Sequence, residues 1–274
     1  MIRVRDLTVR YPDAPPILAG LSVHIAPGEM TGLLGPNGSG KTTFLRAVSG
    51  SLAPSEGEVL MGGDAVSSLS HKERARRMAF VPQRPESVPD FTVFDMVCMG
   101  RYARRKFLED YTPEDAAVVR QALAETDAAQ FADRPAATLS GGELQRVFVA
   151  RAFAQETAVL LLDEPATGLD PAQATAIFDQ VRQRNEQKNA TVLMAIHDLN
   201  LAALYCDRLI FLKNGTVAAD GPTREIFTRE TLERVYDAPF LLLEHPIAGL
   251  PQALALPGRG KHRQEMRPQE KPHG

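Results

Sequence analysis

The sequence is short of the features that would assign it to a membrane, a metal or an oxidising compartment. Only two cysteines occur among 274 residues, Cys98 and Cys206. Each sits among apolar neighbours, so reduced core positions are expected in place of a disulfide or a thiolate metal site. The six histidines fall in no HxxxH spacing and there is no CxxC, which leaves zinc without support. No apolar run approaches the roughly 20 residues that span a bilayer; Val159 to Leu162 is strand-sized. The amino terminus, MIRVRDLTVR, alternates apolar and polar residues and lacks the apolar stretch of a signal peptide. An excess of one charge is missing too: 31 basic against 34 acidic residues give a formal net charge of -3. That is no electrostatic footprint for a general nucleic-acid binder. There is no internal repeat.

What is present is enough apolar material, 44% of residues, to bury a core in one large domain or two joined lobes. Residues 2 to 34 alternate in β fashion, with turns at Pro12-Asp13 and Pro27-Gly28. A glycine-rich loop follows, then a helix from about Lys41 that stops near Gly50. Met78 to Val81 is another short strand, halted by Pro82. From Phe91 to Gln155 the periodicity turns helical, and Thr92 with Asp95, Thr112 before Pro113, and Ser140 with Glu143 read as helix starts. Strands return at Val159–Leu162 and Val192–Ile196 around a helix through Ile177, Phe178 and Val181. This alternation predicts a parallel, doubly wound α/β sheet. Arg208 to Leu212, Asn214-Gly215 and Thr216 to Ala219 make a hairpin, with short helices after Pro222 and Thr228. Past Pro257 the apolar period is lost, and a disordered tail is expected.

Gly35-Pro36-Asn37-Gly38-Ser39-Gly40-Lys41-Thr42 satisfies GxxxxGK[ST] between a strand and a helix. Glycines let backbone N–H groups converge on phosphate oxygens, and the helix dipole adds positive charge at the same point. Lys41 is then placed to bridge the β- and γ-phosphates and the Thr42 hydroxyl to ligate Mg²⁺, with Thr43 beside it in the first turn. The buried strand ending Leu162-Asp163-Glu164 supplies two acids at its carboxyl end, where ligands of such sheets sit. Asp163 is the expected Mg²⁺ partner and Glu164 the candidate to polarise the attacking water.

A phosphate loop alone does not name a function. Leu139-Ser140-Gly141-Gly142-Glu143-Leu144-Gln145-Arg146 is more specific. It resembles the LSGGQ signature of ABC transporter ATPases, with Glu143 where glutamine is commoner. The resemblance runs from about residue 1 to 256, and other family positions follow in order. Tyr11 resembles the aromatic that stacks on adenine. Gln83, in Phe80-Val81-Pro82-Gln83, resembles the glutamine that reaches Mg²⁺ and water and reports to the membrane partner. Thr167-Gly168-Leu169-Asp170 is similar to the loop usually written SALD, and His197 resembles the switch histidine on the γ-phosphate.

The resemblance implies a P-loop ATPase core over about 1–88 and 156–237, carrying an N-terminal antiparallel β subdomain. It also implies an inserted helical subdomain over about 89–155, the cassette ending near 245 and a short extension covering 246–256. It further implies ATP and Mg²⁺ as cofactors and a head-to-tail dimer in which Ser140, Gly141, Gly142, Glu143 and Asp170 serve the nucleotide of a second copy. Two membrane-spanning permease subunits, and through them a substrate-binding protein, would complete an assembly at the cytoplasmic face of the membrane. The segment Thr92 to Tyr102, with Asp115 to Leu123 and Glu244 to Gly249, resembles importers of iron-siderophore, haem and cobalamin. A cassette for another imported or exported substrate, and a non-transport ATPase of the same family, are the alternatives.

Overall fold

The computed structural model describes residues 1–11, 14–83, 90–106 and 109–257. The expected turn at Pro12-Asp13 and the expected tail beyond Pro257 lie outside the described residues. Strands β1 (Ile2–Val9), β2 (Leu18–Ile25) and β3 (Met30–Leu34) open the chain, and the glycine loop leads from β3 into α1 (Lys41–Val48). Then come β4 (Glu56–Met61), β5 (Asp64–Ala65), α2 (His71–Arg77) and β6 (Met78–Val81). The helical stretch holds α3 (Val93–Cys98), α4 (Pro113–Glu125) and α5 (Gly141–Ala154). After it run β7 (Val159–Asp163), α6 (Pro171–Lys188), β8 (Thr191–Ala195) and α7 (Leu199–Tyr205). The chain continues through β9 (Arg208–Lys213), β10 (Thr216–Pro222), α8 (Thr223–Ile226), α9 (Arg229–Tyr236), β11 (Phe240–Glu244) and β12 (Pro251–Ala255).

The central sheet has the order β10-β9-β3-β8-β7-β6, with β9 to β6 parallel and β10 antiparallel at one edge. Its middle strands are buried on both faces, hence the unbroken apolar runs of β7 and β8. Neighbouring residues of β7 divide between two cores. Leu161 packs with α1 and the four-stranded antiparallel sheet β2-β1-β4-β5, whereas Leu160 and Leu162 pack with the α5, α6 and α7 side. A strand with side chains alternating by two requires this sandwiching.

The expected helix starts form with their side-chain caps. Thr112 and Ser140 each complete a capping box with Asp115 and Glu143, and the Thr92 hydroxyl accepts from the Asp95 amide. Among the described residues of the lobe, β pairing is limited to one bridge, Thr92 with Pro135. Buried Arg101 ties the lobe together: Nε donates to Asp115 Oδ1 at 2.8 Å, and Nη1 to Glu156 Oε2 at 2.6 Å and the Ala154 carbonyl at 2.8 Å. Burial opposes charge on Asp115, but the bonds from Arg101 and Thr112 outweigh it and hold that carboxyl below its usual range.

Two hairpins are additions to the sequence expectations. The β4–β5 pair extends the antiparallel sheet, and β11 pairs with β12. The boundary expected at 245/246 falls at the turn of that last hairpin, so the residues on both sides form one unit.

Candidate active site

The carboxyl ends of β3, β7 and β8 converge on one crevice, the ligand position for a parallel sheet. Gly40, at φ 101°, is the N-cap of α1. A Cβ there would lie 2.5 Å from Leu18 Cδ2, so both backbone and packing demand glycine. Because that glycine has no side chain, α1 begins without a side-chain cap and without an acid in its first turn. Its first amides are left for an incoming anion.

Lys41 Nζ donates to the Gly35 carbonyl at 2.8 Å and the Pro36 carbonyl at 3.3 Å, holding the loop curled. Burial pulls the ammonium below its ordinary pKa, against the pull of Glu164 and Asp163. The Ser39 hydroxyl is buried with no hydrogen-bond partner. A buried cation, open amides and an orphaned hydroxyl in one loop fit a polyphosphate.

Beside the loop, the Thr42 hydroxyl donates to Asp163 Oδ1 at 3.1 Å. Burial pushes the Asp163 carboxyl up, and the bond from Thr42 only partly offsets this. A cavity of about 400 Å³ is lined by Thr42, Arg46, Phe80, Gln83, Asp163 and Thr167. Among the described residues no three His, Cys, Asp or Glu side chains group as a metal cage. The donors present are hard oxygens from few side chains, the set that suits Mg²⁺, which keeps waters and takes phosphate oxygens as ligands.

Glu164 is the most constrained residue of the site. Its φ is 50°, a left-handed conformation unusual outside glycine. Its amide donates to the Ala195 carbonyl at 3.1 Å, and its carbonyl accepts from the Thr167 amide at 3.1 Å. That twist turns the carboxylate toward three partners. Gln83 Nε2 donates to Oε2 at 2.6 Å, the Thr167 hydroxyl reaches Oε2 at 3.3 Å, and His197 Nε2 meets Oε1. Glutamine, acid and histidine from three separate segments therefore share one point.

The remaining expected residues stand elsewhere. Tyr11 is exposed just after β1, its carbonyl accepting from the Ala14 amide. Asp170 caps α6 by accepting from the Gln173 amide at 2.9 Å. Ser140, Gly141, Gly142 and Glu143 open α5, whose Ser140 side chain accepts from the Glu143 amide while Glu143 Oε2 accepts from the Ser140 amide at 2.7 Å. Among the described residues, no hydrogen bond or ion pair joins Ser140, Glu143 or Asp170 to the Lys41–Glu164 cluster. Two residues at the site carry no role in the sequence reading, Arg46, which lines the cavity, and Tyr236, whose hydroxyl faces the Gly35 backbone; Thr167 enters that reading only as the first residue of the Thr167–Asp170 loop. The aromatic at 236 offers no motif by which it could have been found.

The sheet, the glycine loop and the acidic pair define a P-loop nucleoside triphosphatase. The ABC transporter family model matches residues 18–167. The chain is 36% identical over 255 residues to the ferric enterobactin transport ATP-binding protein of Escherichia coli K12, covering 93% of this chain and 94% of that one. It is 42% identical over 243 residues to a cobalamin import ATP-binding protein of Halobacterium salinarum, covering 89% of this chain and 61% of the relative. Among solved structures, the dimeric post-hydrolysis state of an ATP-binding cassette bound to ADP and Pi superposes with a TM-score of 0.74 at 27% identity, over 82% of this chain and 99% of that one. This chain belongs to the ABC transporter family, as an ATP-binding and ATP-hydrolysing cassette. No helix among the described residues is long and apolar enough to cross a membrane.

Proposed function

We propose that this chain hydrolyses Mg²⁺-ATP as one of two identical cassettes, driving separate membrane subunits that import an iron chelate, haem or cobalamin. The observation that carries the chemistry is the convergence of Gln83, Thr167 and His197 on the Glu164 carboxylate. Lys41 and the first amides of α1, with the Gly35–Gly40 loop, bind the β- and γ-phosphates. Thr42, Asp163 and Gln83 would hold Mg²⁺, which neutralises phosphate charge when bound. Glu164 orients the attacking water and accepts its proton, while Gln83 and His197 fix the carboxylate's direction. His197, exposed on its free side, is placed to turn toward a γ-phosphate. Tyr11 stacks at the adenine rim.

Ser140, Gly141, Gly142, Glu143 and Asp170 serve the nucleotide held by a second copy. Gly141 supports this: a Cβ there would meet nothing within 4 Å. Glycine in a helix costs up to ~1 kcal/mol, and nothing in the single chain requires it. The glycine leaves room for something outside the chain.

Import of this substrate class is supported by the named relatives and by the lobe segment around Thr92 to Tyr102. Phe91, Met99, Tyr102 and Tyr111 of the lobe are exposed, and Tyr102 keeps 71% of its surface in solvent. They are the contact assigned to the permease, at the cytoplasmic face of the membrane. The first test is Glu164→Gln, expected to keep ATP binding and lose turnover by ~10²-fold or more; near-normal hydrolysis removes Glu164 from its role. For the substrate, uptake by the reconstituted transporter should follow an iron chelate, haem or cobalamin. Failure with all three refutes that class while leaving the ATPase reading intact.

A further inference from the structure

The two glycines that open α5 stand there for different reasons. Gly141 is exposed, and a Cβ on it would meet nothing within 4 Å. Gly142 is buried, and a Cβ on it would lie 2.8 Å from Gln173 Cδ and closer still to Gln173 Oε1. Gly142 is helical, so its backbone does not call for glycine. The space does: the side chain of half-buried Gln173, from α6, fills the volume that a larger residue at 142 would take.

Gln173 has a nearer use for its carboxamide and does not take it. It is the third residue of α6, and its backbone N–H donates to Oδ1 of the N-cap Asp170 at 2.9 Å. A Glu, Asp or Gln at that position can reach back to the N-cap amide and close a capping box, as Asp115 does on α4 and Glu143 on α5. On α6 the box is not closed. The Gln173 side chain lies across to α5 instead, with its oxygen beside the Gly142 Cα at the positive end of that helix, where an acceptor is favoured. Further along α6, Gln180 Nε2 donates to Asp127 Oδ2 at 3.3 Å, and Arg184 Nη2 donates to the Phe153 carbonyl at 2.9 Å. Positions 173, 177, 180 and 184 share one face of a helix. That face of α6 therefore follows α5 from Gly142 near its start to Phe153 near its end, and Gln173 is the contact at the end assigned to the second copy's phosphate.

We infer that Gln173 is a positioning residue: its carboxamide fixes the start of α5 against the start of α6, so that Ser140, Gly141 and Gly142 keep one register with Asp170. Gln173 touches no nucleotide in this arrangement. Its backbone N–H is held by Asp170 and its side chain is seated on Gly142, so a shift of either helix start is carried to the other. The inference rests on the head-to-tail dimer of the proposed function and adds to it the residue that keeps two parts of the shared site together.

The test is Gln173→Ala in the full chain, with and without Glu164→Gln. Titration with a fluorescent ATP analogue should give unchanged single-chain affinity, because the α1 site is untouched. Hydrogen exchange in the nucleotide-free chain should quicken in the first two turns of α5 and stay as it is in α1. The ATP-dependent dimer constant of the Glu164→Gln background, read by sedimentation, should weaken by roughly 10-fold, the scale of one lost side-chain contact. A general loss of structure would move the ATP affinity and the α1 exchange as well. Gly142→Ala supplies a second arm, since its methyl takes the volume of the amide oxygen and turns Gln173 away. The double variant should therefore dimerise no more weakly than Gly142→Ala alone; losses that multiply would mean that the two residues act apart, and overturn the inference. If Glu164→Gln dimerises with ATP and Gln173→Ala leaves that constant unchanged, Gln173 has no positioning role and the head-to-tail reading stands. If Glu164→Gln does not dimerise with ATP, the head-to-tail reading fails and the exchange arm decides alone: faster exchange at α5 supports the hold of Gln173 on that helix, and unchanged exchange refutes it.

Discussion

Helices α1 and α5 begin in opposite ways, and the contrast bears on which of them waits for ATP inside its own chain. At α1 the N-cap is Gly40 in a left-handed conformation, with no side-chain cap and no acid in the first turn. At α5 the N-cap is Ser140, locked with Glu143 in a reciprocal capping box. Both ends carry the partial positive charge of a helix. At α1 that charge is uncompensated and a buried ammonium stands beside it. At α5 a carboxylate of the chain already sits on it, held below its usual pKa by the backbone and side-chain bonds from Ser140. In the proposed reading, the single chain therefore has one primary phosphate site at α1 and one end, at α5, that closes over a nucleotide already bound to a second copy.

The largest effects are expected on the α1 side. Asp163→Asn should lower hydrolysis by ~10²-fold or more, through loss of the charge that would face Mg²⁺. It should also stabilise the nucleotide-free protein. Burial raises the Asp163 pKa, so its contribution to folding is unfavourable once the pH exceeds the unfolded value and the group must ionise in place. Neutralising it should raise Tm by about 2–4 °C per kcal/mol recovered in a chain of this size, with the gain growing as the pH rises above the ordinary carboxylate pKa. A calorimetric Tm that falls refutes this account of the site. Lys41→Ala should weaken ATP binding by roughly 100-fold, the worth of a charge-assisted contact, measured by titration of a fluorescent ATP analogue. Unaltered affinity would remove α1 from its role.

The sequence made the α1 end readable and left part of its surroundings unreadable, for a physical reason. A phosphate loop needs glycine, lysine and threonine at fixed offsets because the backbone itself is the ligand, so the motif is written locally. Asp163 and Glu164 were legible because a buried strand ending in acids stands in the same chain as a phosphate loop. The partners of Glu164 are a different matter. Gln83 and His197 were reached through family resemblance, whereas Thr167 acts through a bond set by the left-handed turn at Glu164, which sequence does not announce. Tyr236 meets Gly35 across about 200 positions of chain, and no local pattern encodes such a contact. The strands of the core were legible from apolar runs. The hairpin of β11 and β12 was hidden because its outer face breaks the alternation that identifies a wet ribbon.

At α5 the expected effects are smaller and appear only when two copies meet. Gly141→Ala should leave single-chain ATP affinity unchanged and raise Tm slightly, since a methyl at that position touches nothing and alanine favours a helix over glycine. ATP-dependent dimerisation of the Glu164→Gln background should weaken by roughly 10-fold, because the added Cβ stands where the second copy's phosphate would approach. Analytical ultracentrifugation at several protein concentrations checks this. An unchanged dimer constant would mean that α5 does not close on nucleotide.

Glu143→Gln is the finest test of the contrast. Glutamine can keep the capping box, as both side chains accept from the Ser140 amide, so the fold of the helix start should survive. What it removes is a negative charge at the helix end proposed to meet phosphate. If α5 serves a second copy's ATP, removing that charge should strengthen ATP-dependent dimerisation by about 2- to 5-fold at low salt, the scale of one exposed charge at a helix terminus. The gain should shrink as ionic strength rises, because the Debye length falls to about 8 Å at 0.15 M. A gain that ignores salt would place the effect in packing, and a loss would mean that the carboxylate itself takes part in binding. Either result would redraw the contrast between an open helix end that receives its own nucleotide and a capped one that meets another's.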